Sequence, residues 1–219
     1  MNKLLLPLLF LPLLSFSQET TDDSKFNFGA YVLPEMNGLT TTSQVGTETV
    51  RSKLGFSAGF NGEFRLTQKV SLRTGLGYGL KNYHHLHEGL IFSSDINPQT
   101  GITTESRMES DMTYSELQLP LLFQYNIKPN VFFTVGMELN ASFADNSERT
   151  IYYGNGEIEK LKNPTGTTLN YAPMISIGFN VPNSSFIIEP VFKYYIKEYV
   201  IPMSNHYNYG LKITYNIGH

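Results

Sequence analysis

A few charged side chains lie among small and polar residues at the alternate positions of several apolar stretches, as expected for the polar face of a β-sheet. Such groups could pair with one another, or they could form a path for ions or protons. We predict a structural network of ion pairs in the lumen of a narrow barrel, because a barrel of this size is filled by its own side chains. A tight turn at 67–69 sets Glu63 opposite Arg73, which makes them the most specific pair. The set comprises Glu63, Arg65, Arg73, Lys81, Glu116, Glu138, Glu189, Lys193, Lys197 and Lys212.

A second cluster of potential ligands lies at His84, His85, His87 and Glu88. Imidazole and carboxylate groups suit zinc or copper. Adjacent histidines on an extended strand nevertheless point to opposite faces, and the sequence holds no second cluster that would complete four ligands. We therefore interpret this segment as the start of a solvated loop, and we predict neither a metal nor a cofactor.

Serine and histidine side chains near the long loops suggest covalent catalysis as an alternative. Ser115, Ser142 and His206 could attack an acyl ester at the membrane edge, as in a lipid-modifying barrel. No spacing among them singles out a triad. The glycines between 75 and 79 alternate within a strand and do not lead into a helix, as nucleotide-binding motifs require. We predict that the protein has no catalytic residue and is not an enzyme.

The strands that must position these side chains are clearest at residues 114–143, a hairpin with its turn at 128–130. Each strand alternates apolar with mostly polar residues and has about 13 residues, enough to cross a bilayer at a tilt of about 45°. The apolar positions are Leu117, Leu119, Leu121, Phe123, Tyr125 and Ile127, then Val131, Phe133, Val135, Met137, Leu139 and Phe143.

The same alternation predicts an all-β fold of eight strands. Long and tight connections alternate between them, which is typical of an eight-stranded antiparallel up-and-down transmembrane β-barrel with two unlike ends. The predicted strands span 26–34, 54–66, 70–81, 114–127, 131–143, 169–180, 186–197 and 207–217. Long polar loops at 35–53, 84–113 and 144–168 lie at the end opposite the termini, where loops on a rigid frame often bind partners.

The two faces of these strands predict which one meets lipid. The polar face is rich in Gly, Ser, Asn and Thr, which suits a crowded lumen, and the apolar face carries no charge. A soluble lipocalin-like barrel, the alternative, would need a water-facing side rich in charged residues. Aromatic residues cluster toward both ends of the apolar face, as expected for rings at headgroup level. These are Phe26, Phe28, Phe64, Tyr125, Phe133, Phe179, Phe186 and Tyr215 at the tight-turn end, and Phe56, Tyr78, Phe143, Tyr171, Tyr194, Tyr207 and Tyr209 at the long-loop end.

Prolines are the feature that argues most against uninterrupted strands. Pro120, Pro173 and Pro190 fall inside predicted strands, where each removes one ladder hydrogen bond. A closed barrel has no free edge at which to place them. We therefore expect β-bulges or local bends at these positions.

The first residues of the sequence predict a secretory leader. Lys3 precedes an apolar run at 4–14 that is too short to span a membrane as a helix, and small residues follow. We predict a signal peptide at 1–17, a short periplasmic segment at 18–25 and a barrel domain at 26–219. Loss of Lys3 leaves 15 of the 16 basic residues against 19 acidic ones, so nothing suggests a nucleic-acid partner.

Several stretches of the chain resemble the PorT-type outer-membrane β-barrel family of Bacteroidota: YSELQLPLLFQY at 114–125, SLRTGLGYGL at 71–80 and YGLKITYNI at 209–217. The resemblance implies a barrel that the barrel-assembly machinery inserts into outer-membrane lipid, usually without a catalytic role. Some relatives are associated with secretion, so a partner would be an extracellular or secretion-system protein that contacts the long loops. Barrels of this kind commonly end on an aromatic residue, whereas this chain ends Ile217-Gly218-His219, and Tyr215 would have to replace that signal.

Overall fold

The computed structural model describes residues 25–41, 46–91, 105–162, 168–196 and 204–217. The predicted leader at 1–17, the segment at 18–24, Lys197 and the final residues 218–219 lie outside them. The strands are β1 Phe26–Thr41, β2 Thr47–Arg65, β3 Val70–Leu90, β4 Ser106–Lys128, β5 Val131–Asp145, β6 Glu148–Tyr152, β7 Ile158–Lys162, β8 Thr168–Asn180, β9 Phe186–Tyr194 and β10 Ser204–Ile217. No helix in the described part of the chain is long and apolar enough to cross a membrane.

Eight of these strands form a closed antiparallel ring in the order β1-β2-β3-β4-β5-β8-β9-β10, with β10 paired back to β1. This confirms the predicted eight-stranded up-and-down barrel. The register between β2 and β3 also agrees with the sequence, since Glu63 lies opposite Arg73 and Gly59 lies opposite Gly77. Closure pairs the backbone groups of every ring strand on both sides, as lipid requires.

Three tight turns lie together at one end of the ring, where the sequence predicts them. Residues 66–69 join β2 to β3, with the Leu66 N–H donating to the carbonyl of Val70 at 2.9 Å. Pro129 and Asn130 join β4 to β5. In the turn from β8 to β9, Asn183 has a φ of 57°, in the left-handed region that asparagine tolerates well.

Apolar side chains lie on the outer surface and charged side chains lie inside, the reverse of the arrangement in a soluble protein. Val135 and Ile177 on the outer surface are each 46% exposed, whereas Arg73 inside the bore is 2% exposed. The rings of both predicted aromatic girdles are exposed on the outer surface, except for a partly buried Tyr207. An uncharged apolar surface that encircles the whole molecule is stable when hydrocarbon covers it. The apolar rows therefore face lipid, as predicted.

Beyond the long-loop end of the ring the sheet continues through segments that the sequence predicts to be loops. β3 continues to Leu90 and β4 begins at Ser106, so the two strands pair far past the ring. β6 then pairs with β4, and β7 pairs with β6. We call residues 47–52, 83–90 and 106–114 together with β6 and β7 the sheet extension.

β6 is a continuation of β5 along the edge of β4. Tyr114 pairs with Asp145 of β5, and Asp111 pairs with Glu148 of β6, so the register is the same on both sides of a break at 146–147. The predicted loop at 144–168 therefore contains a hairpin that extends the barrel wall.

The strand register contradicts one of the two expectations for the prolines, because it shows no β-bulge at any of them. Pro120, Pro173 and Pro190 each lie in a ladder whose register does not shift around them. The β3–β4 ladder has no pair at Pro120, while the β4–β5 ladder continues through the Pro120–Glu138 pair. A proline lacks only one donor, so it interrupts one ladder while the other holds the register. A bulge occurs instead in β2, between Ser52 and Phe56.

Candidate functional site

The charges inside the barrel pair across the lumen and not between neighbouring strands. Arg73 on β3 donates from Nη1 and Nη2 to the two carboxylate oxygens of Glu189 on β9, at 3.0 and 3.1 Å. In the ring of eight strands, β9 lies on the wall opposite β3. The expected pair of Arg73 with Glu63 is therefore wrong, because the long guanidinium arm reaches past its register neighbour. Glu63 accepts a hydrogen bond from Gln124 Nε2 at 3.3 Å instead.

Lys81 pairs with a carboxylate that sequence reasoning missed. Its Nζ donates to Glu35 on β1, and the Ser57 hydroxyl donates to the same carboxylate oxygen at 2.8 Å. All three side chains are buried. We expected Glu35 in a loop, because Pro34 ends the predicted first strand. The sequence feature that could have revealed Glu35 is the alternation of β1, which continues past Pro34 and places Glu35 on the same face as Tyr31.

Lys193, Lys212 and Arg65 differ in their surroundings. Lys193 Nζ donates to both oxygens of Glu138, at 2.8 and 2.9 Å, and both side chains are buried. Lys212 Nζ lies 4.4 Å from the centre of the Tyr31 ring, in a cation–π contact. Arg65 lies outside this network, because it is exposed at the tight-turn end of β2.

Apolar side chains occupy other parts of the bore, beside neutral polar residues such as Gln118 and Asn140. A Cβ atom on Gly77 would touch the Tyr31 hydroxyl, so the glycine row on β3 makes room for this ring. Both ion pairs and apolar contacts therefore occupy the bore. One buried cluster comprises Tyr31, Leu33, Leu122, Met174 and Val191, and a second one, nearer the long-loop end, comprises Leu39, Tyr83, Met112, Tyr114, Ala172 and Tyr195.

The serines proposed for catalysis have hydrogen-bond partners other than a histidine. The Ser142 hydroxyl donates to Glu116, a buried carboxylate, at 3.3 Å. Ser115 Oγ accepts from the Tyr78 hydroxyl at 3.1 Å. His206 is buried, with its ring 4.5 Å from that of a tyrosine on β3.

The histidines predicted to begin a solvated loop lie on β3 in the sheet extension, so that interpretation is wrong. His84 faces outward, where its Nδ1 lies 2.9 Å from Asp111 Oδ1 and Lys53 Nζ donates to the same oxygen. Burial favours the neutral form of Asp111 but is outweighed by the hydrogen bonds from Lys53 and His84, so its pKa lies below its usual value.

His85 and His87 point into the interior of the sheet extension. Glu48 of β2 joins them there, while Glu88, the carboxylate that the sequence grouped with them, is exposed. Imidazole nitrogens of the two histidines lie 3.5 and 3.6 Å from Glu48 Oε1. Burial lowers the pKa of His85 and outweighs the opposing effect of Glu48.

A closed ring of eight antiparallel strands, apolar outside and filled with paired charges inside, defines a small outer-membrane β-barrel. The sequence matches the family described as "Outer membrane protein beta-barrel domain" over residues 16–212, and the chain belongs to that family. It is an outer-membrane protein. In barrels of this class the short turns generally lie on the periplasmic side and the longer connections outside the cell. Comparison with curated proteins gives no significant match.

Solved structures with a similar arrangement are distant in sequence. Ail of Yersinia pestis, in complex with the heparin analogue sucrose octasulfate, is 12% identical, with a TM-score of 0.48 over 88% of this chain and 99% of Ail. Neisserial surface protein A is 12% identical, with a TM-score of 0.41 over 88% of this chain and 97% of that protein. The outer-membrane protease OmpT of Escherichia coli is 9% identical, with a TM-score of 0.34 over 92% of this chain and 98% of OmpT.

Proposed function

We propose that the protein is a closed structural barrel that presents the sheet extension to an extracellular or secretion-system protein. The observation that carries this proposal is the free edge of β7. Within the described residues, β7 pairs only with β6, and every residue of β7 is exposed. A free edge offers a row of backbone N–H and C=O groups to which an extended segment of a partner can add.

The side chains of β7 define the partner segment that would fit. Ile158 is 61% exposed and Leu161 is 38% exposed, so a partner strand could cover both. Lys160 and Lys162 outnumber the one acidic residue of the strand, Glu159, and Lys160 is already 3.3 Å from Glu148. These charges select against indiscriminate pairing and favour an acidic partner segment.

We propose more specifically that the partner interaction serves protein secretion. The resemblance of strands β3, β4 and β10 to the PorT-type family of Bacteroidota supports it, since some members of that family are associated with secretion. The closed bore supports a role of the surface and not of a channel. We infer further that the barrel is not an enzyme, because the hydrogen bonds of Ser115 and Ser142 are with Tyr78 and Glu116 and not with a histidine.

The test of partner binding combines a deletion with a charge reversal. Replacement of 148–162 by a short Gly-Ser linker, and separately Lys160→Glu with Lys162→Glu, should each abolish an adhesion or secretion phenotype of cells that carry the chain. The matched control is Lys69→Glu with Lys128→Glu, the same charge change at the periplasmic end. All variants should remain in the outer-membrane fraction and shift on SDS gels after heating. Unchanged adhesion and secretion in both test variants would refute the proposal.

The lipid-modifying alternative has its own test. Purified protein that releases fatty acid from lipid A, and loses this activity on His206→Ala, would establish an enzyme in place of a structural barrel. No release above the level of the His206→Ala variant is the expected result.

We also propose that the mature protein begins at Gln18, with a periplasmic segment at 18–25 before the barrel domain at 26–219. The charged, apolar and small regions of the leader support this boundary. The intact mass of protein purified from outer membranes tests it, and a mass that includes residues 1–17 would contradict it.

A further inference from the structure

We propose that Glu48, His85 and His87 bind one divalent metal ion of the zinc class inside the sheet extension. The three residues come from two neighbouring strands, with Glu48 directly opposite His87 in the register of β2 with β3. Val50 lies opposite His85, one step nearer the ring. The proposal does not depend on the partner proposed for β7, because these residues face the interior and not the free edge.

The bulge in β2 makes this arrangement possible. On the extracellular side of the bulge, Glu48 occupies an even-numbered inward position, whereas on the ring side the inward positions are odd, as for Ser57. Without the shift between Ser52 and Phe56, Glu48 would face outward and the histidines would have no carboxylate beside them. A sequence pattern read with constant period two therefore cannot find this site.

The distances fit a small tetrahedral ion. His85 Nε2 lies 3.5 Å and His87 Nδ1 lies 3.6 Å from Glu48 Oε1, and all three ligand atoms lie within 4.8 Å of one another. Zinc binds nitrogen and oxygen ligands at about 2.0–2.2 Å, which places tetrahedral ligands about 3.3–3.6 Å apart. On metal binding, only the distance between the ligand nitrogens of His85 and His87 would need to shorten.

The surroundings of His85 also indicate a metal. The side chain is fully buried, and neither ring nitrogen has a hydrogen-bond partner in geometry good enough to satisfy it. The hydroxyl of Ser110, which lies opposite His85 in the β3–β4 register, is buried and unsatisfied as well. A buried polar group without a hydrogen bond destabilises the fold, and an ion bound to His85 would provide a partner for one of its ring nitrogens.

Two imidazoles and one carboxylate form a ligand set that zinc, nickel and copper accept. Three protein ligands leave a fourth position for water or for an external ligand. The site would link β2 to β3 within the sheet extension.

The test uses the full mature chain, free of any histidine tag, in detergent and with zinc as the probe. After dialysis against buffered Zn²⁺, the wild-type protein should contain one zinc per chain. His85→Ala, His87→Ala and Glu48→Gln should each weaken zinc binding at least about tenfold, since even outer-shell changes have effects of that size. His84→Ala is the matched control, because it removes an imidazole from the opposite face of the same strand and should leave zinc binding unchanged.

A spectroscopic measurement separates metal binding from a structural effect of the variants. X-ray absorption of the zinc-loaded wild type should show two imidazole ligands at the metal, and His84→Ala should give the same spectrum. Heat-shifted migration on SDS gels verifies that each variant folds. Zinc content no higher in the wild type than in the His85→Ala/His87→Ala double variant would overturn the proposal, and so would an equal loss in His84→Ala.

Discussion

Arg73 is the largest side chain that the barrel buries completely, and its charge is balanced by Glu189 from the opposite wall. Thr134 and Ser176 donate to the same carboxylate, so Glu189 joins three strands around one cation. Such an arrangement is stabilising only as a complete set, because a lone buried charge retains its full desolvation penalty.

Glu189→Gln should therefore lower the free energy of unfolding by about 3–5 kcal/mol, since it leaves the Arg73 charge without a counter-ion. Glu63→Gln is the matched control, because it makes the same chemical change opposite Arg73 in the register. Glu63 is only partly buried, so we expect a cost of no more than about 0.5 kcal/mol. Denaturant unfolding in lipid vesicles, followed by circular dichroism, measures both. Equal losses of unfolding free energy in the two variants would contradict the assignment of Glu189 as the counter-ion of Arg73.

Asp111 gives a pH dependence to the outer face of the sheet extension. Its folded pKa lies below its unfolded value, so its contribution to stability is complete above a pH of about 4 and is lost as the pH falls through the folded pKa. His84, Lys53 and Glu109 are the charged or titratable groups around it. Amide exchange at 83–90, corrected for intrinsic rates, should quicken between pH 6 and pH values below about 3. Asp111→Asn should show a smaller change, and an identical change would contradict this assignment.

The strands of the ring could be predicted from sequence because each has lipid on one side and a filled bore on the other. The turns at 67–69 and 128–130 then fixed the register of their hairpins. In the sheet extension this contrast is lost, since His84 and His85 are both polar although they face opposite sides. The bulge after Ser52 also reverses the parity of β2. A search for alternating residues therefore misses the strands of the sheet extension, because the two faces do not differ in polarity there and the parity of β2 changes.

The lipid-facing rows predict a dependence on depth along a single strand. Leu121 lies near the middle of the exposed apolar row of β4, and Ile127 lies on the same face near the periplasmic turn. Leu121→Arg should cost about 2–4 kcal/mol of unfolding free energy, and Ile127→Arg about 0–1 kcal/mol, because a charge near the interface remains hydrated. Unfolding in vesicles provides both values. A cost for Ile127→Arg as large as that for Leu121→Arg would place the membrane boundary elsewhere.

At the scale of the molecule, the sequence predicted the ring and the side on which lipid lies, but not the partners of the inward charges. Sequence spacing specifies which residues are neighbours along a ladder, and the pairs of Arg73 with Glu189 and Lys81 with Glu35 join strands that are not neighbours in the ring. Those contacts depend on the width of the closed bore and on side-chain length. The candidate metal ligands depend in the same way on a bulge that has no strong sequence signal.

The filled bore predicts that the protein does not conduct ions. The ion pairs and the apolar cluster around Tyr31 and Leu122 occupy the lumen of a barrel that side chains can fill. Wild-type protein in planar bilayers should therefore show no stepwise conductance. Tyr31→Ala with Leu122→Ala removes two of the largest apolar side chains of the cluster and should produce small, frequent steps, provided that the variant still shifts on SDS gels after heating. Steady channels in the wild type, of the same size as those in the double variant, would mean that the side chains in the bore move aside in the membrane.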